Sequence, residues 1–139
     1  MLKTRLLHHG ILQALGESGH GAKVLIADGN YPLRSGSNEA AHRVYLNLAP
    51  GTVSVTEVLG ALVGAIPIEA AGVMAPDDGA DPAIFTEFQE LLPGIDLERL
   101  GRFPFYDAAR APGVTLAIAT GDQRLYANLL LTIGVVTPD

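Results

Sequence analysis

The chain has 139 residues and a formal net charge of −6, a length that holds one domain and a sign that repels phosphate backbones and anionic headgroups, which excludes nucleic acid and membrane surfaces as natural partners. It has no cysteine, so disulfides, thiolate metal sites and a thiol nucleophile are unavailable, which suits a cytoplasmic setting. With 48% apolar and only 17% charged residues, it carries more apolar surface than a small monomer readily hides, and a homo-oligomer is expected.

The positive start Met1-Leu2-Lys3-Thr4-Arg5 reaches His8-His9-Gly10 before any long apolar run, so it does not read as a secretory signal. Ile11, Leu12 and Leu15 at helical spacing predict a first helix from His9 to Ser18, stopped by Gly19. Lys23 to Ala27 is a compact apolar strand ending at Asp28, and a polar stretch from Gly29 to Ala41 is long enough for a functional loop. Val44 to Leu48 reads as a second strand, and Ser54 or Thr56 can cap a helix through Ile66. The run from Val58 to Ala75 holds one charge, Glu69, and approaches the length of a membrane span, but Pro67 divides it into a buried helix and a strand from Ile68 to Met74.

Asp81 can cap a helix from Pro82 to Leu92. Leu97 to Arg102 follows as a strand, Pro104 to Ala111 as a short helix, Val114 to Thr120 as a strongly apolar strand, and Tyr126 to Val136 as one or two more. Strands alternating with helices, apolar without a clean period of two, predict an α/β fold. It is a single three-layer domain over residues 1–139 with a mostly parallel sheet and helices on both faces. In such sheets ligands collect at the carboxyl ends of the strands.

Four places could carry chemistry. Gly19-His20-Gly21 sets an imidazole between glycines before the first strand, as a proton carrier or as a loop histidine bonded to a backbone carbonyl. Asp28 ends an apolar strand, as a ligand-binding carboxylate or as the head of an Asx turn. Arg102 leaves an aromatic segment, Phe103-Pro104-Phe105-Tyr106, and can fork onto hydroxyls or a carboxylate, or form a surface ion pair. Tyr126-Ala127-Asn128 precedes Leu129-Leu130-Leu131 and can face a pocket or serve the fold. No metal set is legible, because His8 and His9 are adjacent rather than spaced along a helix face, and no phosphate loop or dinucleotide glycine pattern occurs.

Together these segments resemble the family of D-ribose pyranases and L-fucose mutarotases almost from end to end. The resemblance rests on Met1-Leu2-Lys3 with Gly19-His20-Gly21, Asp28 leading to Tyr31-Pro32, and Arg102-Phe103 with Phe105-Tyr106, then Gly121 with Tyr126-Ala127-Asn128 and Gly134-Val135. It implies a sugar anomerase without cofactor or metal, in which His20 donates protons, Asp28 and Arg102 bind the sugar, and Tyr126, Ala127 and Asn128 close the pocket. It also implies rings, pentamers or decamers of stacked pentamers, with pockets near subunit contacts. The ribose branch tends to have histidine where Arg102 stands, which directs the expectation towards L-fucose or a related hexose. Ribose pyranose–furanose exchange and a non-catalytic sugar-binding or transport-accessory protein are the alternatives. Two positions depart from the fucose branch, Ala22 where aspartate is common and Asn30 where histidine is often found, and the lost carboxylate bears on how His20 is oriented.

Overall fold

The computed structural model describes residues 1–139. Helices α1 (His9–Glu17), α2 (Val55–Leu62), α3 (Ile84–Leu91) and α4 (Arg102–Ala109) surround strands β1 (Lys23–Ala27), β2 (His42–Tyr45), β3 (Ile68–Met74), β4 (Leu97–Leu100), β5 (Val114–Ala119) and β6 (Leu129–Ile133). The strands form one sheet in the order β2-β5-β1-β6-β3-β4. β5 runs parallel to β1 and β2, and β3 parallel to β4, while β6 is antiparallel to both its neighbours.

Both faces of the sheet are apolar, as the strand composition requires. Val24, Ile26, Leu116, Ile118, Leu129 and Leu131 pack with the buried faces of α1, α2 and α3 in one cluster. Their strand neighbours Leu25, Ala27, Ala117, Ala119 and Leu130 turn to the other side, where α4 supplies Phe105 and Ala109 and the loop after β1 supplies Tyr31 and Leu33. The expected three layers are therefore present, with three helices on one face and α4 on the other. Phe105 is fully buried and anchors α4, a contact worth about 1.5–3 kcal/mol relative to exposure.

Local chemistry explains the element ends. Ser54, not Thr56, caps α2: its hydroxyl accepts from the Glu57 N–H at 3.1 Å, and its own N–H donates to the Glu57 carboxylate at 2.7 Å. α2 stops at Leu62 rather than Ile66, and Gly64 lies in the turn that follows. Asp81 does not cap α3; it pairs with Arg99, and the helix starts at Ile84 behind an uncapped Ala83. The strand expected from Leu97 to Arg102 ends at Leu100, because Gly101 opens α4 and takes Arg102 into its first turn. β2 begins earlier than expected, at His42, and the tail forms one strand from Leu129.

The reversed β6 fixes what meets at the carboxyl edge of the sheet. The chain leaves β1 at Asp28, β3 beyond Met74 and β4 towards Arg102, whereas it enters β6 there through Tyr126, Ala127 and Asn128. At the opposite edge, His20 precedes β1 and Glu69 lies at the start of β3, and the Gly21 N–H donates to the carbonyl of Ile133 at the end of β6.

Candidate functional site

Asp28 and Asn128 interlock across 100 residues of chain. The Asp28 N–H donates to Asn128 Oδ1 at 2.8 Å, and the Asn128 amide returns a bond to Asp28 Oδ2 at 3.0 Å. The Asn30 N–H donates to Asp28 Oδ1 at 2.9 Å, so the Asx turn and the pocket carboxylate, two alternatives in the sequence, are the same group. Both side chains are almost fully buried. Burial pushes the Asp28 carboxyl above its ordinary range, against the hydrogen bonds from Asn30, Asn128 and Tyr31 and assisted by the charge of Asp122.

A cavity of about 240 Å³ opens on this pair. Asp28, Arg102, Tyr126 and Asn128 all line it, joined by Asn30, Tyr31, Met74, Tyr106 and Leu125. The cavity is open to solvent, and Asp28 and Tyr31 also line a neighbouring hollow of about 650 Å³. Arg102 makes no ion pair; its guanidinium carbon lies 5.8 Å from the ring centres of both Phe103 and Tyr106. Tyr31 is spoken for, since its hydroxyl donates to the Gly36 carbonyl at 2.7 Å and its ring meets Tyr106 edge-on at 5.2 Å. Burial raises its phenol well above the usual value.

Tyr126 holds a positive φ of 62°, which a non-glycine residue adopts at a cost of about 1–2 kcal/mol. Its neighbour Arg124 clamps that connection: it bonds the Asp122 carboxylate and Thr56 on α2, and pairs with Glu87 on α3 at 2.7 Å. Asp122 also accepts from the Val55 N–H at 2.9 Å. Burial pushes the Asp122 carboxyl up, but the hydrogen bonds from Arg124 and Val55 outweigh it and leave it below the ordinary range. Ala127 is fully buried in the large core cluster, and its side chain does not line the cavity. Neither Asp122 nor Arg124 stood out in the sequence.

His20 lies elsewhere. It precedes β1 while Asp28 follows it, and a five-residue strand alone spans about 16 Å. Its imidazole is half-exposed and bonds no backbone carbonyl; Nε2 contacts both carboxylate oxygens of Glu69, at 3.0 and 3.1 Å. Ala22 offers no carboxylate, and the one beside His20 comes from β3. The signal for it was the lone charge in the apolar run from Val58 to Ala75; the pairing itself depends on sheet order. No three His, Cys, Asp or Glu side chains are arranged to hold a metal ion, and no helix is long and apolar enough to cross a membrane.

A six-stranded α/β sheet with a pocket at its carboxyl edge, largely apolar and aromatic around one carboxylate, defines a small-molecule binding or converting protein. Comparison with known proteins makes this specific: residues 1–136 match the RbsD / FucU transport protein family, and the chain belongs to it. The fucose mutarotase of Bos taurus is 32% identical over 146 residues, covering 96% of this chain and 92% of that protein. A D-ribose pyranase from Streptomyces griseus, D-ribose pyranase 2, is 30% identical over 141 residues, covering 97% of this chain and 98% of that protein. The crystal structure of a fucose mutarotase in complex with L-fucose from Streptococcus pneumoniae superposes with a TM-score of 0.83 at 28% identity, over 98% of this chain and 100% of that one.

Proposed function

We propose that this chain is a monosaccharide mutarotase that interconverts the α and β anomers of L-fucose or a related hexose by acid–base ring opening. The observation that carries the reading is the single cavity shared by Asp28, Arg102, Tyr126 and Asn128, brought together from three distant segments of the chain. A directed carboxylate, an unpaired guanidinium and an amide can each hold a hydroxyl, and a wrong epimer leaves one of them unsatisfied.

Anomer exchange needs a proton delivered to the ring oxygen and another removed from the anomeric hydroxyl. His20 is the donor in this reading, held by Glu69. Since His20 and the cavity stand at opposite edges of one sheet, the donor comes from a second copy, whose amino edge lies against the carboxyl edge of the first. Contacts of that kind are heterologous and close into rings, in keeping with a pentamer or a decamer of stacked pentamers working in the cytoplasm.

Exchange spectroscopy by NMR on L-fucose, D-ribose and D-galactose tests this. The wild type is expected to accelerate exchange most on L-fucose, and His20→Ala to lower the rate by about 10²–10⁴. Fastest exchange on ribose identifies a pyranase; line broadening from binding, with no exchange in the wild type, identifies a non-catalytic sugar-binding protein. A monomer by gel filtration overturns the shared site.

A further inference from the structure

Ring opening moves two protons, and His20 accounts for one. Resting on the reading above, we propose that Asp28 carries the other. Its carboxylate takes the proton of the anomeric hydroxyl while the C1–O5 bond breaks, and gives it back when the ring closes on either face of C1. The O–H bonding pair becomes the second bond of the C1 carbonyl, and the C1–O5 pair passes to O5, which receives the proton of the His20 imidazolium. After rotation about C1–C2 each proton returns along the same route, so neither atoms nor charge are gained or lost.

Among the side chains that line the cavity in one chain there is no other candidate for this step, and Glu69, which arrives with His20, is already paired with its imidazole. Arg102 is permanently protonated, the amides of Asn30 and Asn128 do not titrate, and phenols such as Tyr106 and Tyr126 are weak bases. Tyr31 has committed its hydroxyl to the Gly36 carbonyl. Asp28 is differently placed. Oδ1 accepts from the Asn30 N–H and Oδ2 from the Asn128 amide, and with the Tyr31 N–H also directed at the carboxylate, at least one of its roughly four acceptor sites is left for a ligand. The same two bonds hold the group rigidly at the cavity wall, which lowers the cost of aligning it with a hydroxyl.

The charged and titratable groups facing Asp28 are Arg102 and Tyr106 from α4, Tyr31 and Tyr126 from the loops, and Asp122 beyond β5. Burial, the dominant influence, raises its proton affinity, and Asp122 acts in the same direction. A carboxylate made more basic in this way is a stronger proton acceptor than a solvated one.

The alternative is that Asp28 only holds a hydroxyl. The two roles separate when L-fucose binding and exchange are measured on the same Asp28→Asn protein. A proton carrier predicts affinity within about tenfold of wild type and exchange slower by about 10²–10⁴. It also predicts that wild-type exchange falls on the acid side with a midpoint above the ordinary carboxylate range, a limb missing from the residual rate of the variant. Proportional losses of binding and exchange overturn the proposal, as does wild-type exchange in the variant. Should Asp28→Asn not fold, the wild-type pH profile decides, and a profile flat through the carboxylate range overturns it. A wild type that exchanges no sugar ends the mutarotase reading instead; His20→Ala losing exchange while Asp28→Asn retains it ends only this one.

Discussion

The two edges of the sheet carry the same kind of chemistry in opposite states. At the carboxyl edge, Asp28 and Asn128 are buried, doubly bonded to each other and backed by the Asp122–Arg124 clamp. At the amino edge, His20 and Glu69 form a contact between half-exposed side chains, with nothing packed over it. One chain is enough to organise the first arrangement; the second is left open to a neighbour. The difference teaches that a substitution at the carboxyl edge is expected to disturb the fold together with the site, whereas one at the amino edge is expected to spare the fold and, on the proposed function, to act on exchange alone.

The same glycine-to-alanine change on the two edges breaks this contrast most sharply. A Cβ at Gly121 would collide with the carbonyl oxygens of Ala49 and Thr52, both backbone atoms that cannot readily give way. Gly121→Ala is expected to cost about 3 kcal/mol or more by urea denaturation. A Cβ at Gly19 meets nothing within 4 Å, and Gly19→Ala is expected to leave stability within about 0.5 kcal/mol. Equal losses at the two positions would show that the edges do not differ.

Asn128→Ala is the next largest effect. It strips partners from the buried Asp28 N–H and carboxylate, and denaturation should register a loss of about 2 kcal/mol.

A third effect is a pH dependence of opposite sign within one edge. Asp28 titrates above its unfolded value, so its contribution to stability is present at low pH and is lost as pH rises through its raised folded value. Asp122 titrates below its unfolded value, so its contribution is present above the ordinary carboxylate range and is lost as pH falls. Carboxyl-carbon NMR titration resolves the two directly, and a common midpoint removes the distinction.

The smallest effect on stability belongs to Glu69→Gln. An exposed pair of this kind contributes about 0–1 kcal/mol, so the melting curve should barely move. The exchange rate should still fall about tenfold, because the imidazole loses the group that orients it. A variant that melts earlier yet exchanges normally makes the pair structural.

How much of this was legible in the sequence depended on how local each cause was. β1 and β3 have the bounds their apolar runs implied, Lys23–Ala27 and Ile68–Met74, because burial on both faces leaves a continuous signal along β1 and over the last four residues of β3. The Ser54 cap was readable since it acts over three residues. Asp81 offered an equally good local cap and was diverted by Arg99, eighteen residues on, which only the tertiary fold brings near. Arg102, Asp28, Tyr126 and Asn128 could be named, but that they face one cavity follows from the reversal of β6, which no local pattern encodes. Glu69 was visible as an anomaly and not as a partner, since residues 20 and 69 meet only when β6 lies between β1 and β3.

The alternation at the mouth of β6 has an evolutionary implication. Tyr126 and Asn128 face the cavity while Ala127 fills the core between them. One residue inserted between Tyr126 and Leu129 would break this order, because Leu129 and Leu131 are held in register in the core, and the amide of Asn128 would no longer meet Asp28. The length of this approach to β6 is therefore under tight constraint, since a change in it costs the site its amide.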